Sequence, residues 1–175
     1  MIPTTAPPTH IGLRISTLLL ALLVAPMQLP ALEDDQEQPL YLEADSAELD
    51  EAKSMSIYTG NVFVKQGSME ITGNQVTVHH DAERKPIHIV AVGAPSTYRQ
   101  EVEGEEQEVE AEALRMEYDT NKDEITLIDN AVLFQGEDTF RSDRIVYDRT
   151  NGLVKAGTSA QGKERVKITI TPSKR

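Results

Sequence analysis

From Gln38 onward the apolar residues of this chain recur at every second position, and that period admits half-buried strands and excludes amphipathic helices. In "PLYLEAD", Leu40, Leu42 and Ala44 fall on one side, with Tyr41, Glu43 and Asp45 on the other. "NVFVKQ" sets Val62 and Val64 against Phe63 and Lys65, and "SMEITGNQVTVHH" sets Met69, Ile71, Val76 and Val78 against Glu70, Gln75 and Thr77. Ile87 and Ile89 continue the pattern, followed by Leu114, Met116 and Tyr118 against Arg115 and Glu117. The alternation runs on through "DEITLIDNAVLFQG", "TFRSDRIVYD", "GLVKAG" and "RVKITITP". Turn signals separate the runs at "DEAK", "QGS", "DAERKP", "DTNKD", "QGED", "RTNG" and "AQGK", the spacing of an all-β fold. Asn151-Gly152 reads as a type I′ turn. "EADSAELDEAK" is read as strand rather than helix.

Two hairpins match at a constant offset of 69 residues. Asp50 aligns with Asp119, Lys53 with Lys122, Asn61 with Asn130, Gln66 with Gln135 and Gly67 with Gly136. The apolar positions keep step, Val64 with Leu133, Ile71 with Phe140 and Val76 with Ile145. An ungapped match of this length indicates a repeated unit that gains its core by stacking on its copy.

The first 31 residues are of a different kind. Arg14 precedes an apolar run from Ile15 to Ala25, then come Pro26, Pro30 and the small Ala31. That is the layout of a secretory signal peptide, shorter than the roughly 20 apolar residues of a membrane span. Removal at Ala31 leaves one domain, 32–175. The chain's net charge of −12 makes it a poor partner for nucleic acid, and cysteine is absent, so no disulfide stabilises it.

Groups that carry chemistry are scarce. His79 and His80 are adjacent and point to opposite faces of a strand, and no nucleophile elbow, paired metal-binding histidines or phosphate loop occurs. The acidic stretch "EVEGEEQEVEAE", Glu101 to Glu112, lacks the order of a calcium loop and reads as a solvated connection with flanking strands. The chain is therefore expected to be no enzyme, with no metal and no cofactor. The expected functional element is the apolar face: Leu40, Leu42, Val62, Val64, Met69, Ile71, Val76, Val78, Ile87, Ile89, Tyr98, Leu114, Met116, Tyr118, Ile125, Leu127, Leu133, Phe140, Ile145 and Tyr147. Two readings remain open: an ordinary core, or two inner faces held slightly apart to leave a slot for acyl chains. Each CH₂ taken from water contributes about 0.8 kcal/mol, enough to bind lipid tails without a charge contact.

At "QPLYLEAD", "YTGNVFVKQG", "VGAPSTYRQ" and "MEYD…LIDNAVLFQG" the chain resembles the periplasmic lipopolysaccharide-transport bridge proteins of Gram-negative bacteria, the organic-solvent-tolerance-like domain family. The resemblance implies a twisted, V-shaped antiparallel β-jelly roll, open at both ends and non-enzymatic. It implies a groove that takes the lipid A acyl chains of lipopolysaccharide, with Leu40, Leu42, Tyr98 and Tyr118 facing it. It also implies head-to-tail stacking of subunits between an anchored inner-membrane transport protein and an outer-membrane translocon. The acidic insert and the short C-terminus, "TPSKR", depart from the family pattern. Rival expectations are a periplasmic β-scaffold whose apolar face is plain core, and a relative that keeps its N-terminal anchor.

Overall fold

The computed structural model describes residues 35–101 and 108–172; the proposed leader and its cleavage point lie outside them, as do the centre of the acidic insert and Lys174 and Arg175. Ten strands form one antiparallel sheet: β1 (Tyr41–Glu43), β2 (Ser46–Asp50), β3 (Met55–Gln66), β4 (Met69–His80), β5 (Pro86–Glu101), β6 (Glu108–Asp119), β7 (Glu124–Gln135), β8 (Asp138–Asp148), β9 (Leu153–Ala156) and β10 (Lys167–Thr169). Strands β3 to β8 pair in sequence order, each with the next. Both β1 and β2 pair with β3 at one margin, and both β9 and β10 pair with β8 at the other. Among the described pairings the two margins do not join, so the sheet is open. The fold is all-β, as the alternation predicts.

The long strands break register near their middles. The breaks lie between Thr59 and Val62, Thr72 and Gln75, Val92 and Ser96, Glu112 and Arg115, and Ile128 and Ala131. A bulge bends its strand and raises the local twist, so breaks on five successive strands crease the whole sheet. Gly60 and Asn61 supply the first break with φ of 82° and 46°, and Asp129 and Asn130 supply its counterpart 69 residues on with φ of 60° and 54°. The repeat read from sequence thus recurs as the same backbone device. At β5 the crease is tight: a Cβ on Gly93 would lie 2.7 Å from Pro95 O, Ser96 N and Ser96 Oγ.

The only helical segments among the described residues are short 3₁₀ turns at Asp35–Glu37, Glu51–Lys53 and Gly157–Ala160. Among the described residues no helix covers the sheet, yet one face is dry. The creased sheet buries that face by folding over it.

Candidate functional site

Fifteen of the residues expected to face inward are 0–2 % exposed: Val62, Val64, Met69, Ile71, Val76, Val78, Ile89, Tyr98, Met116, Tyr118, Ile125, Leu127, Leu133, Ile145 and Tyr147. They form one continuous cluster, and Leu40, Leu42 and Phe140 pack half-buried against it. Register explains the continuity. Ile71, Tyr98, Ala111, Leu133 and Phe140 are successive cross-strand partners, and so are Val78, Ile89, Tyr118, Ile125 and Tyr147. Two rows of inward side chains therefore cross the sheet, one on each side of the crease.

Several expectations need correction. Leu114 lies outside the interior, 39 % exposed. The break between Glu112 and Arg115 shifts the inward phase from Val109, Ala111 and Ala113 to Met116 and Tyr118, leaving Leu114 on the bulge. Within the acidic stretch, Val109 and Ala111 belong to the expected flanking strand, β6, and are buried. Ile87 is only half-buried. At Asn151-Gly152 only the glycine has positive φ, so no type I′ turn forms. Asp148 accepts the Asn151 N–H at 3.0 Å and holds a four-residue loop between β8 and β9 instead. The interior is also shut to water, so the slot does not stand open in this structure. One cavity of about 360 Å³ lies on polar surface, lined by Lys65, Gly67, Ser68, Glu70, Arg99 and Glu101. His79 and His88 face each other across β4 and β5 with ring centroids 5.9 Å apart, and no metal-binding group of three occurs among the described residues.

At one end the apolar cluster terminates in a buried polar knot that sequence reasoning missed. Arg149, in the loop after β8, has a side chain only 3 % exposed. Its guanidinium donates to Asp123 Oδ1 at 2.6 Å, Asp35 Oδ2 at 3.0 Å, the Tyr118 hydroxyl at 2.7 Å and Gln100 Oε1 at 3.1 Å. It also stacks 5.2 Å from the Tyr118 ring centroid. Burial pulls the guanidinium pKa down, but the surrounding tyrosines and carboxylates outweigh it and the net shift is upward, so Arg149 is a fixed cation. Burial pushes both the Tyr98 and Tyr118 hydroxyls up, against the opposing pull of Arg149, so both remain neutral donors. Gln100 and Arg149 sit at the ends of non-neighbouring strands, and their contact joins the two layers of the folded sheet. Only Arg149's place in an Asp/Gly-rich turn was visible in sequence, and that pointed to solvent.

Comparison with known proteins gives a consistent result. A family model described as "LptA/(LptD N-terminal domain) LPS transport protein" matches residues 41–153. The lipopolysaccharide export system protein LptH of Pseudomonas aeruginosa is 35 % identical over 150 residues, 83 % of this chain and 86 % of that protein. The export system protein LptA of Haemophilus influenzae is 34 % identical over 145 residues, 82 % of this chain and 83 % of that protein. The crystal structure of Pseudomonas aeruginosa LptH, described as the LptA-homologous periplasmic component of the conserved lipopolysaccharide transport device, superposes with a TM-score of 0.72. It is 36 % identical and covers 79 % of this chain and 99 % of that one.

Proposed function

The chain belongs to the LptA/LptD N-terminal-domain family of lipopolysaccharide transport proteins, and we propose that its folded sheet carries the acyl chains of lipopolysaccharide between its two inner faces. It is a periplasmic transport component and not an enzyme. One observation carries the reading of the site: a single uninterrupted apolar cluster, drawn from six adjacent strands, inside a sheet whose margins are not sewn together. An acyl chain entering between the faces exchanges side-chain contacts for equivalent ones and loses its own exposure to water, about 0.8 kcal/mol per CH₂.

The margins support a second part of the proposal. Leu49 on β2 is 70 % exposed, and Ile168 on β10 and Ile170 beyond it are 53 % and 71 % exposed. Apolar side chains on unpaired strand edges suit β-augmentation by a second sheet, and an end-to-end contact of that kind does not close on itself. We therefore propose head-to-tail assembly of copies of this chain, ending on an anchored inner-membrane transport protein at one end and an outer-membrane translocon at the other. Exposed Lys163, Arg165 and Lys167 put positive charge at the β10 margin of an otherwise acidic molecule. Cleavage after Ala31 completes the proposal; N-terminal sequencing of exported protein should begin at Leu32, and an intact leader would favour the anchored reading.

The full burial of the cluster favours a rival, that it is only the core of a scaffold. A diazirine-bearing leucine analogue placed at Ile71 or Leu127, with outward Glu70 and Glu117 as controls, separates the two. Transport predicts lipopolysaccharide adducts from the inward positions alone; equal labelling of both sets, or none, supports the scaffold.

A further inference from the structure

The Asp35 carboxylate occupies a built receptor. Its Oδ1 accepts the Ser68 backbone N–H at 2.7 Å. Its Oδ2 accepts the Ser68 hydroxyl at 2.8 Å, Arg149 Nη2 at 3.0 Å and Gln100 Nε2 at 3.2 Å. Gln100 is aimed at this task, because its Oε1 is already taken by the Tyr98 hydroxyl and Arg149 Nε. The β3–β4 turn is shaped to admit the group: a Cβ on Gly67 would lie 2.1 Å from Asp35 Oδ1. Four donors from three separate parts of the chain thus converge on two oxygens of one anion, supplied by a single 3₁₀ turn just ahead of β1.

Nothing in this set of donors is specific to a side-chain carboxylate. Backbone N–H, hydroxyl, amide and a fixed guanidinium are the donors that hold a phosphate. The receptor also lies where an amphiphile's head would need it. Met69, Tyr98 and Tyr118 begin the dry interior on one side, 0–2 % exposed. On the other side the cavity at Ser68 opens to solvent, its Lys65 and Arg99 engaged by Glu70 and Glu108.

We infer that Ser68, Gln100 and Arg149 form a binding site for the phosphate of a phosphorylated amphiphile, and that Asp35 is an internal competitor that holds the site until the ligand displaces it. This rests on the proposed entry of acyl chains into the interior and adds the group that fixes the head at its rim. Exchange of one anion for another keeps a negative partner against Arg149, a phosphate monoester bringing about −1.5 to −2 in place of a single carboxylate. The chain's net charge of −12 works against free phosphate, which has no apolar attraction to offset repulsion, so the ligand with tails is favoured.

The test compares three probes on the full-length exported protein: inorganic phosphate, dihexanoyl phosphatidate and uncharged dihexanoylglycerol. Binding is read by calorimetry and by the amide resonance of Ser68. An internal competitor lowers apparent affinity by the fraction of time it vacates the site, so Asp35→Ala should tighten phosphatidate on the order of tenfold. The Ser68 resonance should move with it, and dihexanoylglycerol should bind both proteins equally. Adding Ser68→Ala, which removes one hydroxyl and no charge, should take back part of the gain, and adding Arg149→Lys should take back most of it. No gain in Asp35→Ala overturns the receptor, as does an equal gain for dihexanoylglycerol. Inorganic phosphate binding as tightly as phosphatidate overturns the assignment to an amphiphile. If no probe enters the protein at all, including dihexanoylglycerol, the failure belongs to the transport reading and the receptor falls with it.

Discussion

Replacing Arg149 with Gln should destabilise the domain far more than removing any ion pair on its surface. An exposed surface pair makes the contrast: Arg84 meets Glu51 at 2.5 Å, with side chains 80 % and 79 % exposed. Arg149 meets Asp123 at 2.6 Å and Asp35 at 3.0 Å, with Arg149 3 % exposed and the carboxylates 16 % and 17 %. The distances are alike, so burial decides. An exposed pair contributes about 0–1 kcal/mol because water and side-chain entropy cancel most of the attraction. Removing the cation from a buried pair leaves carboxylates that cannot regain water, at about 3–5 kcal/mol. Loss of the stacking on Tyr118 adds roughly 1 kcal/mol. The sum, about 4–6 kcal/mol, is a large share of the 5–15 kcal/mol that typically holds a domain together. At about 3 °C per kcal/mol the melting midpoint should fall by roughly 12–18 °C, with Arg84→Gln within about 2 °C of the parent. Circular dichroism melts and urea titrations read both. An Arg149→Gln midpoint within 3 °C of the parent would show that the knot is not load-sharing, and the account of how the layers are tied would fail with it.

Leu127 is fully buried between Met116 and Ile145, so Leu127→Ala should cost about 2–5 kcal/mol in urea titration, against about 0.5 kcal/mol or less for the exposed Leu114→Ala. Gly93→Ala drives a methyl into backbone at 2.7 Å and should cost about 1–3 kcal/mol, whereas Gly152→Ala meets nothing within 4 Å and bears only the left-handed backbone, about 1 kcal/mol. Stability should also fall in acid. Asp148 is held below the usual carboxylate range by the Asn151 side chain and N–H, and Asp50 likewise by Lys53. Such depressed groups stabilise the fold above their unfolded value near pH 4, and the contribution is lost as pH drops through the folded values. Asp148→Asn should therefore flatten the urea midpoint's slope below pH 4; an unchanged slope would refute the assignment.

How much of this was legible in sequence follows from what kind of signal each feature leaves. Strand identity depends on local alternation, and Met69, Ile71, Val76 and Val78 display it openly, including the phase change at the crease. That same change misplaced Leu114, because counting back by twos from Met116 crosses the bulge unawares. Val109, Ala111 and Ala113 went unseen because small residues between glutamates carry little hydrophobic contrast. Asp35 and Arg149 stand 114 residues apart, and a contact between them has no period to betray it. In sequence, each is one more charge in a charged chain. Only the fold-over of the sheet makes them partners.

The dryness of the interior follows from the same physics that would let lipid pass. An exported chain without cysteine has burial and strand pairing alone to hold it, and twenty aliphatic and aromatic side chains left facing water would favour aggregation over transport. Closure of the faces on each other is thus the expected resting arrangement. A methylene that enters replaces a side-chain contact with one of the same kind, so parting the layers is nearly isoenergetic wherever only apolar contacts cross between them. The exception is the knot, where Arg149 ties Gln100 to Asp123 and Asp35 across the layers. Apolar contacts yield gradually along their length, while a buried ion pair resists separation until a replacement anion arrives. Resistance to opening is therefore concentrated at one end of the interior, the end to which the proposed receptor assigns the charged part of an amphiphile rather than its tails.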